Sequence, residues 1–222
     1  MYSCILKFMK NYVPKLGERV EVASRFVDNC DNLLDVGCGD GIIQYFIGDR
    51  VKHIYGVDNS KEILRVSSKK GLTVKVVDLD NENLPFSPNY FNIVTCLDVI
   101  EHVRDPKNLL IKIRRVLKKN GKLIIATPNI RFTNHLYELV IKGRFPKTST
   151  DGNHYDGGHL HFFTYTDLIN LLKLTGFTVK VVEGIINKPR RGWKGRLLET
   201  VLGKTTMLEF RAPGILLIAN KR

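Results

Sequence analysis

The sequence has no hydrophobic run that approaches the roughly 20 apolar residues needed to cross a lipid bilayer. It contains one tryptophan, three methionines and four cysteines in 222 residues. The cysteines form no CxxC pair, so we expect reduced thiols and neither a zinc site nor a disulfide framework. The N-terminal stretch MYSCILKFMKNYVPK has no convincing small-residue cleavage site after a long apolar core. We therefore expect no secretory signal and a soluble, cytoplasmic protein.

Acidic residues are outnumbered, with 22 Asp and Glu against 35 Lys and Arg, a net charge of +13. This surplus favours an anionic partner, such as nucleic acid, an anionic lipid surface or a phosphorylated substrate, without selecting one of them. Apolar residues make up 43% and charged residues 26% of the chain. These fractions are ordinary for a globular protein, so disorder is not expected.

Short apolar runs recur along the first 130 residues. Each has the length of a strand and is rich in β-branched or aromatic residues. The runs are NLLDV (32–36), HIYGVD (53–58), TVKVVDL (73–79), FNIVTCL (91–97) and KLIIAT (122–127). Together they predict a buried, mostly parallel sheet in an α/β fold.

Helical patterns lie between these runs. We predict helices over 41–48, 60–70 and 106–119. The last has Asp105 as its N-cap, a proline in its first turn and Gly121 just past its end. Repeating strand–helix units of this kind wind right-handed into a layered sheet.

The pattern changes after residue 130. A predicted helix over 132–142 is followed by a long loop rich in Gly, His and aromatic residues, and such loops in compact domains are usually functional. A further helix is predicted with Thr166 as its N-cap and Gly176 as its C′ residue, followed by strands FTVKVVEG (177–184) and GILLIANK (214–221). We expect these two strands to pair with each other at one edge of the sheet.

Three glycines at alternate positions, Gly37, Gly39 and Gly41, end the segment LLDVGCGDG. A strand, a glycine turn and a helix place backbone N–H groups at the carboxyl end of the strand, where open α/β sheets bind nucleotides. The turn alone is equally compatible with a simple tight bend. Asp58 strengthens the nucleotide interpretation, because a carboxylate at the end of the second strand can bind both ribose hydroxyls. The other interpretation of Asp58 is a helix cap.

Four segments carry a resemblance to a known family: LLDVGCGDG, IYGVDNS, DNENLPF and FNIVTCLDVIEHV. In this order and spacing they resemble the class I S-adenosylmethionine-dependent methyltransferases, particularly the small-molecule type that includes the ubiquinone-biosynthesis O-methyltransferases. The resemblance is close over residues 30–130. It is looser through GHLHFFTYTDLINLLKLTGF, which is similar to the members associated with methionine biosynthesis.

This resemblance implies the fold and the cofactor. The expected fold is a Rossmann-like three-layer αβα sandwich with a seven-stranded, mostly parallel sheet in the order 3-2-1-4-5-7-6 and an antiparallel last strand. The expected cofactor is S-adenosyl-L-methionine. We expect a single methyltransferase domain over 1–222, with an N-terminal helical segment (1–30), a cofactor-binding core (31–130) and a substrate-side helix, loop and final strands (131–222).

The resemblance also implies roles for individual residues. The glycine turn would support the methionine part of the cofactor with Asp35 beneath it, while Asp58 would hold the ribose. Asp80 would hold the adenine amino group and Asn81 the ring edge. Leu97 and Asp98 would face the sulfonium and the acceptor. The predicted cofactor-binding residues are Asp35, Gly37, Cys38, Gly39, Asp58, Asn59, Asp80, Asn81, Leu97 and Asp98.

A site for a nicotinamide dinucleotide is disfavoured. Its third glycine normally comes three residues after the second, whereas the spacing here is GxGxG. Asp35, Asp40 and Asp98 are acidic where a pyrophosphate would avoid negative charge. Carboxylates suit an ammonium and a sulfonium instead.

The turn after the fourth predicted strand carries Asp98, Glu101 and His102. In a helical turn these positions share one face, and the trio could act as a general base or ligate a divalent metal. In the ubiquinone O-methyltransferases, which this turn resembles, the corresponding acidic and histidine positions are associated with metal dependence. Another interpretation is that His102 only orients the loop. We predict Glu101 and His102 as catalytic residues and no metal site.

The chain has LDVIEH where methyltransferases of amide or adenine nitrogen carry an N/DPPY-type stretch. Those two acceptors are therefore disfavoured. We expect methyl transfer to an oxygen or nitrogen of a small-molecule or lipid-like acceptor.

A second set of candidates lies in the long loop: His154, Tyr155, His159 and His161. Residues 159 and 161 share a side if this stretch is extended. They could contact substrate or serve as a base, and His161 is our third catalytic candidate. The pattern HLHFFT is equally compatible with a packed loop.

The segment NKPRRGWKGR (187–196) places Arg190, Arg191 and Lys194 around the single tryptophan. It could bind an anionic substrate, a membrane surface or an RNA backbone, or be an ordinary edge loop. RNA binding or RNA methylation is the alternative function, disfavoured because no RNA-recognition module is visible. A cofactor-binding subunit without catalysis is a third possibility. The oligomeric state is not predicted.

Overall fold

The fold is built on one seven-stranded sheet. A computed structural model of the chain describes residues 19–148, 158–185 and 204–222. The strands in chain order are β1 (Cys30–Val36), β2 (Val51–Asp58), β3 (Thr73–Val76), β4 (Phe91–Leu97), β5 (Leu117–Pro128), β6 (Phe177–Ile185) and β7 (Gly214–Lys221). Their spatial order is β3-β2-β1-β4-β5-β7-β6, and β7 runs antiparallel to both of its neighbours. The predicted sheet order and the reversed last strand are confirmed.

Helices cover both faces of the sheet. They are α1 (Arg19–Ser24), α2 (Ile43–Ile47), α3 (Lys61–Lys69), α4 (Pro106–Val116), α5 (Thr133–Val140), α6 (Tyr165–Leu174) and α7 (Lys204–Arg211), and a 3₁₀ turn (Gly48–Arg50) follows α2. Among the described residues, no helix combines the length and the apolar character needed to cross a membrane.

Two apolar cores lie on the two faces of the sheet. Neighbouring residues of a strand point to opposite faces. Leu34 belongs to the core that α4 and α6 cover, whereas Leu33 belongs to the core that α1, α2 and α3 cover. Because both faces are buried, the central strands are continuous apolar runs without polar alternation. This is the predicted three-layer αβα sandwich.

The third strand is shorter than predicted. β3 ends at Val76, whereas the apolar pattern predicts a strand to residue 79. Asp78 turns the chain there, because its Oδ1 accepts hydrogen bonds from the backbone N–H groups of Asp80 (2.9 Å) and Asn81 (3.3 Å). Residues 77–80 consequently form a loop beside the carboxyl end of β2.

The helix predicted over 106–119 begins as expected but ends early. Asp105 caps it by accepting a hydrogen bond from the Asn108 N–H at 3.0 Å, and the helix stops at Val116. The predicted end at residue 119 is wrong, and Gly121, expected just past the helix, lies within β5. The cause is Leu117, which is fully buried and pairs with Phe91 of β4 in extended conformation.

The N-cap of α6 also differs from the prediction. Thr164 caps the helix, and Thr166 lies inside its first turn. Tyr165 is buried at the first helical position, and its hydroxyl donates to the Glu183 carbonyl at 3.0 Å, which starts the helix one residue after Thr164. Gly176 follows the C-cap with a φ of +84°, as the predicted C′ residue should.

The sheet brings the predicted site segments together. Val36 at the end of β1 pairs with Val57 of β2 and with Cys96 of β4, so the three strands end side by side. The predictions for His154, Tyr155 and the basic segment 187–196 lie outside the described residues, as does most of the expected N-terminal helical segment.

Candidate functional site

A cleft of about 350 Å³ lies at the carboxyl ends of β1, β2 and β4. Six of its lining residues were predicted from the sequence: Gly37, Asp58, Asn59, Asp80, Asp98 and His102. Five were not: Val77, Asp78, Leu79, Val99 and Val103. The other predicted residues lie behind or beside this lining.

The glycine turn forms one wall of the cleft from bare backbone. The N–H groups of Gly37 and Cys38 donate to the Val57 carbonyl at 2.8 and 3.0 Å, which fixes the turn against β2. Gly37 has a φ of +69°, and a Cβ added there would overlap the Val99 side chain. The close approach of these two lining residues therefore requires glycine.

Asp58 is held by backbone donors on both of its oxygens. Its Oδ2 accepts from the Gly39 N–H at 3.1 Å, and its Oδ1 accepts from the Ser60 N–H at 3.0 Å. Each carboxylate oxygen can accept a further hydrogen bond. The side chain is thus oriented by two elements and can still accept hydrogen bonds from two neighbouring hydroxyl groups in the cleft.

The remainder of the cleft lining is apolar with an acidic edge. Val77, Leu79, Val99 and Val103 line it, a composition that suits the faces of a flat heterocycle. Asp80 lies at the edge, where its Oδ1 accepts from the Arg104 N–H at 2.7 Å. These valines and leucine could not be identified from the sequence, because short apolar residues near strand ends look like core.

Two cations of α4, the buried Lys112 and the half-buried Arg115, fix the loop that carries this wall. Lys112, only 7% exposed, donates to the Leu79 carbonyl at 2.8 Å, and Arg115 donates to the Phe86 carbonyl at 2.9 Å. The sequence suggests a solvated basic face for this helix. The structure shows that part of its charge anchors the 77–90 loop instead.

Asp35 lies near the glycine turn but is not part of the cleft lining. Its side chain is buried in β1 and accepts a hydrogen bond from the Thr95 hydroxyl at 2.7 Å. Burial raises the pKa of Asp35 to about 7; the Thr95 hydrogen bond lowers this pKa, and the negative charge of Asp58 raises it further. Burial likewise raises the pKa of the neighbouring Cys38 thiol to about 12, which leaves it unreactive.

Asp98 ends β4 in a left-handed conformation, with a φ of +55°. Its carboxylate lines the cleft and pairs with the guanidinium of Arg19 at the start of α1, a contact that spans 79 residues of sequence. Burial raises the pKa of Asp98, and the positive charge of Arg19 opposes this. No sequence pattern links the two residues.

Glu101 is fully buried next to the cleft. The Thr127 hydroxyl donates to its Oε2 at 2.9 Å, whereas its buried Oε1 has no hydrogen-bond partner among the described residues. Burial raises the pKa of Glu101 to about 8, and the negative charge of Asp98 adds to this effect. Its backbone carbonyl accepts from the N–H groups of Leu160 (2.8 Å) and His161 (3.1 Å), which attaches the second candidate loop to this turn.

His102 is exposed and lines the cleft, although the preceding residue, Glu101, is buried. The predicted sharing of one helical face is wrong, because residues 98–102 form an irregular turn in which Glu101 is buried and His102 is exposed. The His102 Nδ1 lies 3.3 Å from the Gly158 carbonyl. A carbonyl can only accept, so Nδ1 is the donor in this contact, and in the neutral ring the electron pair lies on Nε2.

The two histidines of the long loop that the structure describes, His159 and His161, have different surroundings. The His159 ring lies 4.6 Å from the His102 ring in an edge-to-face arrangement, and its Nδ1 contacts the Thr148 hydroxyl at 2.6 Å. The His161 Nε2 lies 3.3 Å from the Arg104 carbonyl, and this residue does not line the cleft. His159, which is not among our three catalytic candidates, is therefore closer to the site than His161.

Glu101, His102 and His159 form a compact cluster. One ligand atom from each lies within 4.8 Å of the others. A carboxylate with two imidazoles suits a divalent transition metal, and the same three groups suit proton transfer.

The cleft as a whole fits a nucleoside that carries positive charge. It offers Asp58 for hydroxyl groups, apolar walls for a ring, and the bare backbone of Gly37 in its lining. Four aspartates and no lysine or arginine line it among the described residues, which excludes a good fit to a diphosphate.

Comparison with known proteins identifies the family of this chain. Residues 18–210 match the family described as "Methionine biosynthesis protein MetW". The ubiquinone biosynthesis O-methyltransferase of Aeromonas salmonicida is 27% identical over 162 residues, which cover 71% of this chain and 67% of the relative. The corresponding enzyme of Pseudomonas fluorescens (strain Pf0-1) is 28% identical over 179 residues, which cover 78% and 73%.

A solved structure confirms the fold. The SAM-dependent methyltransferase of Thermotoga maritima superposes with a TM-score of 0.65 at 19% identity, covering 93% of this chain and 89% of that one. The family match covers most of the chain, and the curated relatives are named as methyltransferases. The chain therefore belongs to the MetW family and is a class I S-adenosylmethionine-dependent methyltransferase, with S-adenosylmethionine as its cofactor.

Proposed function

We propose that this enzyme transfers a methyl group to an oxygen or nitrogen of a small-molecule or lipid-like acceptor, with His102 as the proton acceptor. The curated relatives are named as O-methyltransferases, which favours oxygen. RNA as the acceptor depends only on the net positive charge of the chain. We therefore favour the small acceptor.

The residues of the cleft divide between the parts of the cofactor. Asp58 binds the ribose hydroxyls, Val77, Leu79, Val99 and Val103 enclose the adenine, and Asp80 binds its amino group. The backbone of Gly37, Cys38 and Gly39 supports the amino-acid part. Asn59, Asn81 and Leu97 complete the surroundings, and Asp35 stabilises the turn from behind. The contacts of Asp58 with Gly39 and Ser60 support this assignment, because they hold the carboxylate in place before a ligand arrives.

S-adenosylmethionine supplies an electrophilic methyl group on a sulfonium. The chain's own contribution is to align the acceptor, exclude water and accept a proton where the acceptor must lose one. Asp98 lies at the end of β4 on the side of the cleft that His102 also lines. The negative charge of Asp98 attracts the positively charged sulfonium of the methyl donor.

The observation that carries the proposed role of His102 is its hydrogen bond to Gly158. This contact makes Nδ1 the donor, so that the neutral ring would present Nε2 to the cleft as the base. His159 lies against the same ring and restricts its orientation. Glu101 supports the cluster from the buried side, whereas His161, which contacts the Arg104 carbonyl, remains only a second candidate.

The test is the variant His102→Gln with His53→Gln as its matched control. His53 is an exposed histidine on β2. Transfer of radiolabelled methyl to acceptors in an extract of the source cells should fall by about 100-fold or more in His102→Gln. Affinity for S-adenosylhomocysteine, measured by calorimetry, should stay within about twofold of wild type. Full transfer activity in His102→Gln would refute the proton-transfer role.

A chelator distinguishes the proposed base from a metal site. We expect activity to persist after treatment with EDTA, because the proposed mechanism uses the His102 electron pair directly. Loss of activity with EDTA and its recovery on addition of a divalent cation would assign Glu101, His102 and His159 to a metal instead.

A further inference from the structure

Helix α5 presents apolar side chains to solvent. None of its residues is buried. Val140 and Ile141 lie three and four residues after Tyr137, at helical spacings, and they are 71% and 68% exposed. Also about half exposed are Phe145, just beyond the helix, and Leu160, two residues before Phe162, whose ring packs against that of Phe145. Contiguous exposed apolar side chains indicate an interaction site, whereas single ones do not.

Positive charge borders these apolar residues. Residues 131–148 contain four basic residues, Arg131, Lys142, Arg144 and Lys147, and a single acidic one, Glu138. Glu138 is engaged by Lys142 at 2.6 Å. Arg144 and Lys147 are exposed. An apolar surface flanked by cations is the arrangement that lies in the headgroup region of anionic membranes.

The same surface adjoins the acceptor side of the cleft. The Phe145 ring lies 4.9 Å from the Phe162 ring, and the Phe162 ring lies 6.5 Å from the His159 ring. His159 in turn contacts His102. A chain of aromatic contacts therefore connects the exposed residues to the proposed base.

We propose that Val140, Ile141, Phe145 and Leu160, together with Arg144 and Lys147, form a docking surface for anionic lipid bilayers. The proposal deepens the proposed function, on which it rests, because it places the acceptor side of the cleft at a membrane surface and selects lipid-like acceptors. The net charge of +13 supports it through long-range attraction to anionic lipid.

Vesicle co-sedimentation tests the surface directly. Wild-type protein should bind vesicles of phosphatidylglycerol and phosphatidylcholine, bind pure phosphatidylcholine much more weakly, and lose binding as salt increases. The double variant Val140→Ser/Ile141→Ser should bind the anionic vesicles at least about tenfold more weakly, since two aliphatic side chains lose their burial in lipid. The matched control is Leu174→Ser, at a leucine of α6 that is 69% exposed, and it should bind like wild type.

A second pair of variants tests the charge. Arg144→Glu/Lys147→Glu should weaken binding to anionic vesicles, whereas Lys119→Glu/Lys180→Glu, at two exposed lysines on other elements, should weaken it much less. Equal losses in the two pairs would show attraction by net charge alone and would overturn the proposal. Unchanged vesicle binding in Val140→Ser/Ile141→Ser, or no binding by wild type, would also overturn it. Full displacement of wild-type protein from the vesicles by polyglutamate, an acidic polypeptide, would overturn the proposal as well.

Calorimetry with S-adenosylhomocysteine separates this proposal from the proposed function. We expect the Val140→Ser/Ile141→Ser variant to bind this ligand as wild type does. Normal ligand binding and methyl transfer without vesicle binding would refute the docking surface alone. Absence of ligand binding in wild type would refute the proposed function as well.

Discussion

Individual carboxylates at the cleft differ in what surrounds them. Asp58 is held by two backbone N–H groups, Asp98 is paired with Arg19, and Asp35 is buried with only the Thr95 hydroxyl as a donor. These environments give the three aspartates different roles. Asp58 is available to a ligand, Asp98 places negative charge at the end of β4, and Asp35 belongs to the core beside the turn.

Replacement of Asp58 by alanine should remove cofactor binding. The variant loses the only carboxylate that two backbone donors hold at the end of β2, and hydrogen bonds to a charged group contribute about 1.5–3 kcal/mol each. We expect affinity for S-adenosylhomocysteine to fall by at least about 100-fold in calorimetry. The variant should still unfold cooperatively, with a lower unfolding midpoint because the N–H groups of Gly39 and Ser60 lose their acceptor. Asp31→Ala, at an exposed aspartate of β1 paired with Lys52, is the control and should bind normally. Normal affinity in Asp58→Ala would rule out the ribose assignment.

Asp35 should make the free energy of unfolding depend on pH. Burial raises its folded-state pKa to about 7, above the value near 3.9 of an unfolded chain. Between these values the folded state binds more protons, so the contribution of Asp35 to stability is present below about pH 4 and is lost as the pH rises to about 7. The loss is at most about 4 kcal/mol.

The variant Asp35→Asn should lack this contribution. From pH 4 to pH 7 the free energy of unfolding of wild type, measured with urea, should fall relative to that of Asp35→Asn. Above pH 7 the difference between the two proteins should stay constant. In the control Asp31→Asn the pH dependence is reversed. The hydrogen bond and charge of Lys52 lower the pKa of Asp31, so the stabilisation that Asp31 gives wild type is lost as the pH falls. A pH-independent difference for Asp35→Asn would contradict the account.

Elements were easier to predict than their ends. The apolar runs predicted the strands because both faces of the sheet are buried, and the glycine turn with Asp58 fixed the position of the cleft. The early end of α4 and the start of α6 depended on the burial of Leu117 and Tyr165, which the local sequence does not show. Arg19 and the apolar wall of the cleft could not be found from the sequence, because they join the site only through contacts distant along the chain.

The capping of α6 provides a direct comparison between two threonines. Thr164 and Asp167 form reciprocal hydrogen bonds, with Thr164 Oγ1 accepting from the Asp167 N–H at 3.2 Å. Thr164→Ala should lower the free energy of unfolding by about 1 kcal/mol, the usual contribution of such a cap. Thr166→Ala, at the residue that the sequence pattern favoured, should leave it nearly unchanged. Urea unfolding of both variants measures this, and equal effects would show that the cap has been misplaced.

Across the whole molecule, charge is unevenly distributed. The chain has a net charge of +13, yet four aspartates line the cleft. The cleft therefore favours a cationic ligand, while the rest of the surface favours anionic partners. The cleft would bind the cationic cofactor while the proposed lipid-docking surface, beside the acceptor loop, binds the anionic membrane.

The most direct test of the central claim is a crystal structure of the protein with S-adenosylhomocysteine. We predict the ribose hydroxyls within hydrogen-bond distance of Asp58, the adenine between Val77, Leu79, Val99 and Val103, and the amino-acid part against the backbone of Gly37. A nucleoside bound elsewhere, or with its ribose away from Asp58, would contradict the account.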